Sequence, residues 1–271
     1  MAPIYDTSNK ELMKPVVKHI LQTVSPFTSE SVVHDNACGT AVVTESIFEH
    51  LTQLKSPIPS FPIHCTDLSP AMLEKTSEKI AHHAWKNVTT QVMDAGRLSF
   101  PDNTFTHSFT NFGIFFLPDP PAGTREIFRT LKPGGVAYVT AWIHFGHMPA
   151  LREVTKIVRP DLAPYPPPIV GNYEEEGAIQ RVLEEGGFTG QAGTVTVEKF
   201  TSYQKGRCLE DLGEFWWTMH GFSKAGWTSN DKTRWIQALS EELFKVPGNF
   251  RDEKGVIHVQ RIAMIGKAIK S

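Results

Sequence analysis

The most informative stretch of the sequence is SVVHDNACGT, residues 31–40. Its first half, residues 31–35, is a short run that contains two valines, which favours a β-strand. A tight turn around Gly39 follows, and over residues 42–54 the apolar residues recur at helical spacing. A strand, a glycine-containing turn and a helix in direct succession are typical of the first βα unit of an open parallel sheet.

The same alternation continues as far as residue 141. Further strands are predicted at 63–66, 88–92, 105–109 and 136–141, and further helices begin at Ser69-Pro70 and cover 124–131. In the last third we predict a helix at 173–186, a strand at 193–202, a mostly helical stretch at 209–245 and a final strand at 256–265. The fold class is therefore α/β: a doubly wound, mostly parallel seven-stranded sheet, Rossmann-like, with a helical insertion near the C-terminus.

The domain organisation follows from the lack of repeats, low-complexity segments and linkers in the sequence. We predict one domain over residues 1–271. Within it, residues 25–150 form the cofactor-binding core, and residues 151–271 supply substrate-side helices and the final strands. A helix over 11–24 precedes the first strand, because its apolar residues recur at amphipathic spacing.

Composition and charge exclude several classes of protein. The 27 Lys and Arg residues against 29 Asp and Glu give a formal charge of −2, which offers no long-range attraction to nucleic acid or to an anionic membrane. The three cysteines contain no CxxC pair, so we expect neither a disulfide framework nor a metal site. The N-terminus lacks a signal-peptide pattern, and no apolar run approaches the roughly 20 residues that span a bilayer. We therefore expect a cytoplasmic protein, either a monomer or a homodimer.

Polar residues recur where the predicted strands end. Asp35, Asp67, Asp94 and Asn111 follow or close the first four strands. In open parallel sheets, ligands bind beyond these carboxyl ends. An acidic residue after the second strand is placed to accept the two hydroxyls of a ribose, and Asp94 can accept from an exocyclic amine such as that of adenine. Gly39 allows the backbone to approach a ligand closely.

From these residues alone, the cofactor could be NAD, FAD or S-adenosylmethionine. A dinucleotide site uses the pattern GxGxxG to place a pyrophosphate on a helix N-terminus. This turn has a single glycine and begins with Asp35, whose negative charge repels a pyrophosphate and favours a ligand with an ammonium and a sulfonium group. The turn thus favours S-adenosylmethionine, and a nucleotide-binding oxidoreductase stays as an alternative.

Four segments carry a resemblance to a known family. They are VVHDNACGT, CTDLSPAMLE, MDAGRLSFPDNTFTHSFTNFGIFFLPD and FRTLKPGGVAYVTAW. They resemble the successive motifs of class I S-adenosylmethionine-dependent methyltransferases of the ubiquinone/menaquinone-biosynthesis type. The similarity is greatest to fungal secondary-metabolism methyltransferases such as the gliotoxin bis-thiomethyltransferase. It covers residues 30–150 at the level of motifs.

The resemblance implies a function and a set of cofactor contacts. The function is methyl transfer from S-adenosylmethionine to an S, O or N atom of a small molecule, a fungal secondary metabolite, with S-adenosylhomocysteine as the product. The methionine part would be held by Asp35, Ala37 and Gly39; the ribose by Asp67; the adenine by Leu68, Met72, Asp94 and Ala95; and the sulfonium side by Asn111 and Phe112.

Two departures from the family pattern keep an alternative function open. Ala41 stands where the family usually has a third glycine, and the segment before the first strand is short, with Tyr5 as its only aromatic candidate for a lid. The alternative is a homologue that binds the cofactor without methylating and acts as a regulatory partner.

Candidates for acceptor chemistry lie outside the cofactor motifs. His144, His147 and His220 are candidate bases, since a histidine can take a proton from an acceptor near neutral pH. The residues that we expect to line a substrate pocket are all aromatic: Tyr5, Phe115, Trp142, Trp216 and Trp217. We expect His34 and Cys38 to be buried for packing.

Overall fold

The helices and strands alternate along most of the chain. The computed structural model describes residues 2–54, 61–161, 175, 177–222 and 226–271, with side chains from residue 12 onward. The elements are, in order, α1 (Ala2–Thr23), β1 (Val33–Asn36), α2 (Val42–Gln53), β2 (Ile63–Asp67), α3 (Pro70–His83), β3 (Val88–Val92), β4 (Phe105–Asn111), α4 (Pro120–Thr130), β5 (Leu131–Phe145), α5 (Met148–Val158), α6 (Ala178–Glu185), β6 (Gly193–Gly206), α7 (Leu209–Met219), α8 (Ser229–Glu242), β7 (Phe250–Arg251) and β8 (Ile257–Lys270).

The strands belong to one sheet with the order β3-β2-β1-β4-β5-β8-β6, and β7 pairs with β8 beside this path. The pairs β1–β2, β1–β4, β2–β3 and β4–β5 are parallel, with Val33 of β1 opposite Ile63 of β2 and opposite His107 of β4. The chain runs outward from β1 to β3 and returns to the other side of β1 at β4. The strand order therefore reverses beside β1, where open α/β sheets bind ligands.

The predicted α/β fold with a mostly parallel sheet is confirmed. The seven strands of the main path are the predicted ones, and β7, only two residues long, adds an eighth. The sequence analysis missed β7 and α5. It placed the start of α6 at residue 173, but the helix begins at Ala178, and residues 173, 174 and 176 lie outside the described part of the chain.

Local signals set where several helices begin. α3 has Pro70 at its first position, where the missing N–H has no helical partner in any case. Asp119 caps α4, because its side chain accepts a hydrogen bond from the backbone N–H of Ala122. α8 begins with a capping box formed by Thr228 and Asp231.

β5 begins at Leu131, five residues before the strand predicted at 136–141, so it includes residues 132–135, which directly follow the predicted helix. Pro-Gly-Gly usually marks a turn, but here the pairing of β4 with β5 shifts between Phe105 and His107, so a bulge accommodates these residues. Gly134 has a φ of 75°, and a side chain at Gly135 would lie 2.8 Å from the carbonyl oxygen of Lys132. The two glycines thus allow an irregular strand where the sequence pattern indicated a break.

The helix before β1 is longer than predicted at its N-terminal end. α1 covers 22 residues and packs on α2, where Lys14 donates hydrogen bonds to the carboxylates of Glu45 and Glu49. Tyr5 lies within α1, but its side chain is outside the described residues. Its role as a lid stays a prediction.

The chain packs as two compact units. Unit 1 contains residues 1–143, 171–200 and 263–271, and unit 2 contains residues 144–170 and 201–262. Unit 1 holds β1 to β4 and the helices α1 to α4. In unit 2, α5, α7 and α8 bury a core rich in tryptophan that includes Trp216, Trp217, Trp227 and Trp235. The single domain over residues 1–271 stays a prediction.

Ala41 provides a test of the backbone strain before α2. It is fully buried with φ of 61° and ψ of 45°, a left-handed conformation that costs an alanine roughly 1 kcal/mol. Replacement by glycine relieves this strain, but it removes a buried methyl group and increases the conformational entropy of the unfolded chain. We expect Ala41→Gly to change the free energy of unfolding in urea by less than about 0.5 kcal/mol.

Ala137→Gly is the matched control, because Ala137 is equally buried but lies in β5 without a positive φ. With no strain to relieve, this substitution should lower the free energy of unfolding by about 1 kcal/mol or more. Equal losses at the two positions would contradict the assignment of strain to Ala41.

Candidate functional site

The turn between β1 and α2 has an unusual backbone. Ala37, Gly39 and Ala41 have φ values of 50°, 54° and 61°. The Cys38 N–H donates to the Thr66 carbonyl at 2.9 Å, and the Ala41 N–H donates to the Cys38 carbonyl at 2.8 Å. A side chain added at Gly39 would meet no atom within 4 Å, so the backbone there borders open space. Strained backbone of this kind collects at ligand sites.

Asp35 connects this turn to the first turn of α2. Its side chain is almost completely buried, and Oδ2 accepts hydrogen bonds from the Thr44 N–H at 3.1 Å and from the Thr44 hydroxyl at 2.7 Å. Burial raises the pKa of Asp35 to about 7, and the charge of Asp67 acts in the same direction. The Asp35 carboxyl therefore changes its protonation near neutral pH. Its contact with a methionine group stays a prediction.

Asp67 joins the ends of β1 and β2. Its Oδ2 accepts a hydrogen bond from the Gly39 N–H and its Oδ1 accepts one from the Ser69 N–H, both at 2.8 Å. Each carboxylate oxygen keeps a second lone pair that can accept a ligand hydroxyl. The next residue, Leu68, is 69% exposed, and Met72 is half-buried one turn into α3. Acceptors and apolar surface thus lie side by side, as a nucleoside requires.

Asp94 is the second residue after the end of β3 and is exposed. Its Oδ1 accepts a hydrogen bond from the Gly96 N–H at 2.8 Å, which forms a tight local turn, while Oδ2 accepts none from the described residues. The N–H of Met93, the residue before Asp94, donates to the Asp67 carbonyl at 3.0 Å. This hydrogen bond holds the loop that contains Asp94 against the end of β2. Ala95, the next residue, is buried.

The end of β4 is held by β5. The Asn111 Oδ1 accepts a hydrogen bond from the Thr140 hydroxyl at 2.8 Å, and the Thr140 oxygen accepts one from the Phe112 N–H at 2.9 Å. Phe112 has a φ of 57°, and its ring stacks on Trp142 with the centroids 4.3 Å apart. An aromatic pair is thereby fixed directly after the strand end.

The sequence analysis missed the threonines that hold the strand ends: Thr44, Thr66, Thr110 and Thr140. The amide of Asn36 donates to the Thr110 hydroxyl at 3.1 Å and accepts from the Thr66 hydroxyl at 3.4 Å. Thr66 and Thr110 each directly precede a predicted site residue, Asp67 and Asn111. This repeated position is a signal that the sequence contained.

His34 and Cys38 are buried. His34 stacks on Phe105 with centroids 4.5 Å apart, and its Nε2 lies 2.9 Å from the Thr66 hydroxyl. Burial lowers the pKa of His34 to about 3, so the ring is neutral. A hydrogen bond with Cys65, together with burial, raises the pKa of the Cys38 thiol. A protonated buried thiol is a poor nucleophile.

The aromatic residues predicted to line a substrate pocket fall in both units. Phe115 and Trp142 are buried in unit 1, and Trp216 and Trp217 are buried in unit 2. Tyr5 is the fifth, with its side chain outside the described residues. Their assignment to a pocket stays a prediction.

The three predicted bases come together in unit 2. The ring of His147 stacks on Trp216 with centroids 4.9 Å apart and lies 5.6 Å from the ring of His220. Burial, then the charges of Arg261, His220 and His144, lower the pKa of His147 well below its usual range, and burial lowers that of His220 to about 4. A neutral histidine with such a low pKa is a weak proton acceptor at neutral pH. The role of the three histidines as bases stays a prediction.

Among the described residues, no group of three or more His, Cys, Asp or Glu side chains could hold a metal ion. No helix in the described part of the chain is long and apolar enough to cross a membrane.

A sheet with this strand order and with helices between its parallel strands has the Rossmann-like methyltransferase fold. The YcgJ protein of Bacillus subtilis has a TM-score of 0.58 with this chain, at 14% identity, covering 94% of this chain and 98% of that one. Phosphoethanolamine N-methyltransferase 2 of Haemonchus contortus, solved with phosphomonomethylethanolamine and S-adenosylhomocysteine, has a TM-score of 0.53 at 19% identity, covering 94% and 52%.

The chain belongs to the ubiE/COQ5 methyltransferase family, whose sequence profile matches residues 9–156. The predicted resemblance is thereby confirmed. Methyltransferase tpcH of Aspergillus fumigatus is 26% identical over 190 residues, 68% of this chain and 64% of that protein. The acetylaranotin bis-thiomethyltransferase of Aspergillus terreus is 29% identical over 112 residues, 41% and 35% of the two chains. This chain therefore spans less than two thirds of the length of either fungal relative.

The buried Asp35 predicts a pH-dependent stability. Its folded pKa of about 7 lies above the ordinary value of 3.8, so the folded protein holds a proton that the unfolded chain releases. The resulting stability is present below pH 4 and is lost as the pH rises from about 4 to about 7. In Asp35→Asn the amide oxygen can still accept from Thr44, and no proton is lost. Urea unfolding should show this variant gaining roughly 1 to 3 kcal/mol relative to the parent across that range.

The control is Asp94→Asn, which removes a carboxylate from an exposed position. If both variants gained equally with rising pH, the trend would reflect the change in net charge rather than the burial of Asp35.

Proposed function

We propose that this protein transfers a methyl group from S-adenosylmethionine to an S, O or N atom of a small molecule, and that this acceptor is a fungal secondary metabolite. The observation that carries the proposal is the carboxylate of Asp67, which holds the glycine turn and keeps lone pairs for ribose hydroxyls beside the exposed Leu68. Membership of the family and the similarity to two fungal methyltransferases support it.

The described residues fit this cofactor at each part of its structure. The free Oδ2 of Asp94 is an acceptor for the adenine amine, and Leu68 and Met72 offer apolar surface to the adenine ring. The open backbone at Gly39 admits the methionine group, and the Asp35 carboxyl, nearby in the chain, can balance its ammonium charge. The face of an aromatic ring attracts a sulfonium, and the stacked pair after β4 supplies such rings.

The chemistry requires little of the protein beyond placement. When bound, S-adenosylmethionine supplies a methyl group whose bond to sulfur breaks, with its electron pair going to sulfur, as an electron pair of the acceptor forms the new bond to carbon. The chain's own residues hold the two partners in line, and such positioning supplies much of the rate. An acceptor that arrives without its proton needs no protein base.

Calorimetric titration tests the cofactor and the role of Asp67 together. We expect S-adenosylmethionine and S-adenosylhomocysteine to bind and NAD to be silent. Asp67→Ala should weaken the binding of both by at least about 10-fold, because each lost charge-assisted hydrogen bond is worth roughly 1.5 to 3 kcal/mol. Binding of S-adenosylmethionine as tight as in the parent would disprove the site.

Thr76→Val is the matched control for disturbance of the turn. The Thr76 hydroxyl donates to the Gly39 carbonyl at 3.0 Å, on the same turn that Asp67 holds, and valine preserves its shape. We expect less than a 3-fold change. Tight NAD binding would favour the oxidoreductase alternative. Cofactor binding without release of S-adenosylhomocysteine in the presence of fungal metabolite extracts would favour the non-methylating homologue.

A further inference from the structure

The glycine turn after β1 uses its own donors and the charge beside it within the protein. Three of its N–H groups, those of Cys38, Gly39 and Ala41, donate to protein oxygen atoms. Lys79 reaches the turn from α3, where it donates to a backbone carbonyl of the turn and lies 3.6 Å from a Glu45 carboxylate oxygen. The methionine group of S-adenosylmethionine carries a carboxylate, and an anion taken out of water needs hydrogen-bond donors. An anion at this turn therefore gains from a donor on a neighbouring loop.

The loop after β4 packs directly against this turn within unit 1. A side chain added at Gly113 would place its Cβ 2.7 Å from the Cβ of Ala37 and 3.7 Å from the Ala37 carbonyl oxygen. The lack of a side chain at Gly113 thus permits the close approach of the two loops. Asn111 lies two residues earlier, at the last position of β4, and is half-buried. Its side chain therefore stands at the same edge of the sheet as the turn.

Thr140 determines which end of the Asn111 amide is free. Thr140 lies opposite Asn111 on β5 and is 1% exposed. Its hydroxyl donates to the Asn111 Oδ1 at 2.8 Å, while its oxygen accepts from the Phe112 N–H at 2.9 Å. An amide turned by 180° would place Nδ2 against Thr140 and leave the buried hydroxyl proton without this acceptor, which is unfavourable.

The amide nitrogen of Asn111 is therefore the end that a ligand can reach. It has no hydrogen-bond partner among the described residues and is not enclosed by the protein, so both of its N–H groups can donate. Residues 109–118, which include the loop after β4, contain no lysine or arginine. A neutral donor suits this place, because a cation would repel the sulfonium of the cofactor.

We infer that the Asn111 Nδ2 donates to the carboxylate of the cofactor's methionine group, and that Thr140 is the positioning residue that holds the amide in this orientation. The inference rests on the proposed function and specifies how its cofactor is bound. It divides the two charges of the methionine group between two strand ends. The ammonium faces the carboxyl of Asp35 at the end of β1, and the carboxylate faces the amide at the end of β4.

The test compares S-adenosylmethionine with its decarboxylated analogue, because the two ligands differ only in the carboxylate. In calorimetric titrations at pH 7, we expect the parent to bind S-adenosylmethionine at least about 10-fold more tightly than the analogue. Asn111→Leu has a similar shape but no donor, so it should reduce this preference to about 3-fold or less.

Two substitutions of Thr140 test its positioning role. Thr140→Val lacks the hydroxyl, so the amide is free to turn, and the preference should fall by at least about 3-fold. Thr140→Ser keeps the hydroxyl and should retain the preference. Thr130→Val is the matched control, because Thr130 is also fully buried but lies beside the opposite end of β5, and its hydroxyl donates to the Glu126 carbonyl. This variant should keep the preference of the parent.

The parent protein separates this inference from the proposed function. If the parent does not bind S-adenosylmethionine, the proposed function is contradicted. If it binds both ligands equally, the carboxylate contact is contradicted while the proposed function stands, and this comparison holds even where a variant fails to fold. A preference that persists in folded Asn111→Leu would overturn the role of Asn111. Equal losses in Thr140→Ser and Thr140→Val would overturn the positioning role of Thr140.

Discussion

The candidate cofactor site depends on the two hydrogen bonds that the Asp67 carboxylate accepts. One fixes the glycine turn after β1, and the other fixes the start of α3. Because β1 and β2 are parallel and adjacent, their carboxyl ends meet at one edge of the sheet, and a single side chain can hold both loops. Without it, the turn would keep its hydrogen bonds to Thr66 and Thr76 but would lose its direct link to the residue that precedes Leu68.

Charge is distributed differently in the two units. In unit 1, carboxyl groups close three neighbouring strands, and one of them, Asp35, is poised to ionise near neutral pH. A cationic ligand would stabilise its ionised form. In unit 2, the buried guanidinium of Arg261 is surrounded by neutral histidines and aromatic rings.

The residues that could be predicted from the sequence are those whose neighbours follow from the strand order. Asp67 and Asp94 could be placed at one edge of the sheet, because Asp67 ends β2 and Asp94 comes two residues after β3, its parallel neighbour. The partnership of Arg261 with Gln204 could not be found, since 57 residues separate them and neither belongs to a local motif. The same holds for Asn36 and Thr110, which are 74 residues apart. The start of β5 was misread because a bulge accommodates Pro133 and Gly134, a pair that elsewhere forms a turn.

The hydrogen bonds of the strand-end loops connect protein groups to one another: Asp67 to Gly39, Asp94 to Gly96, and Thr140 to both Asn111 and Phe112. A ligand therefore meets loops whose order it does not have to create. The loss of conformational entropy on association, which weakens binding to mobile loops, is correspondingly small. A preorganised edge of this kind binds without a slow rearrangement, so differences in affinity among related ligands should appear mainly in how fast each one leaves.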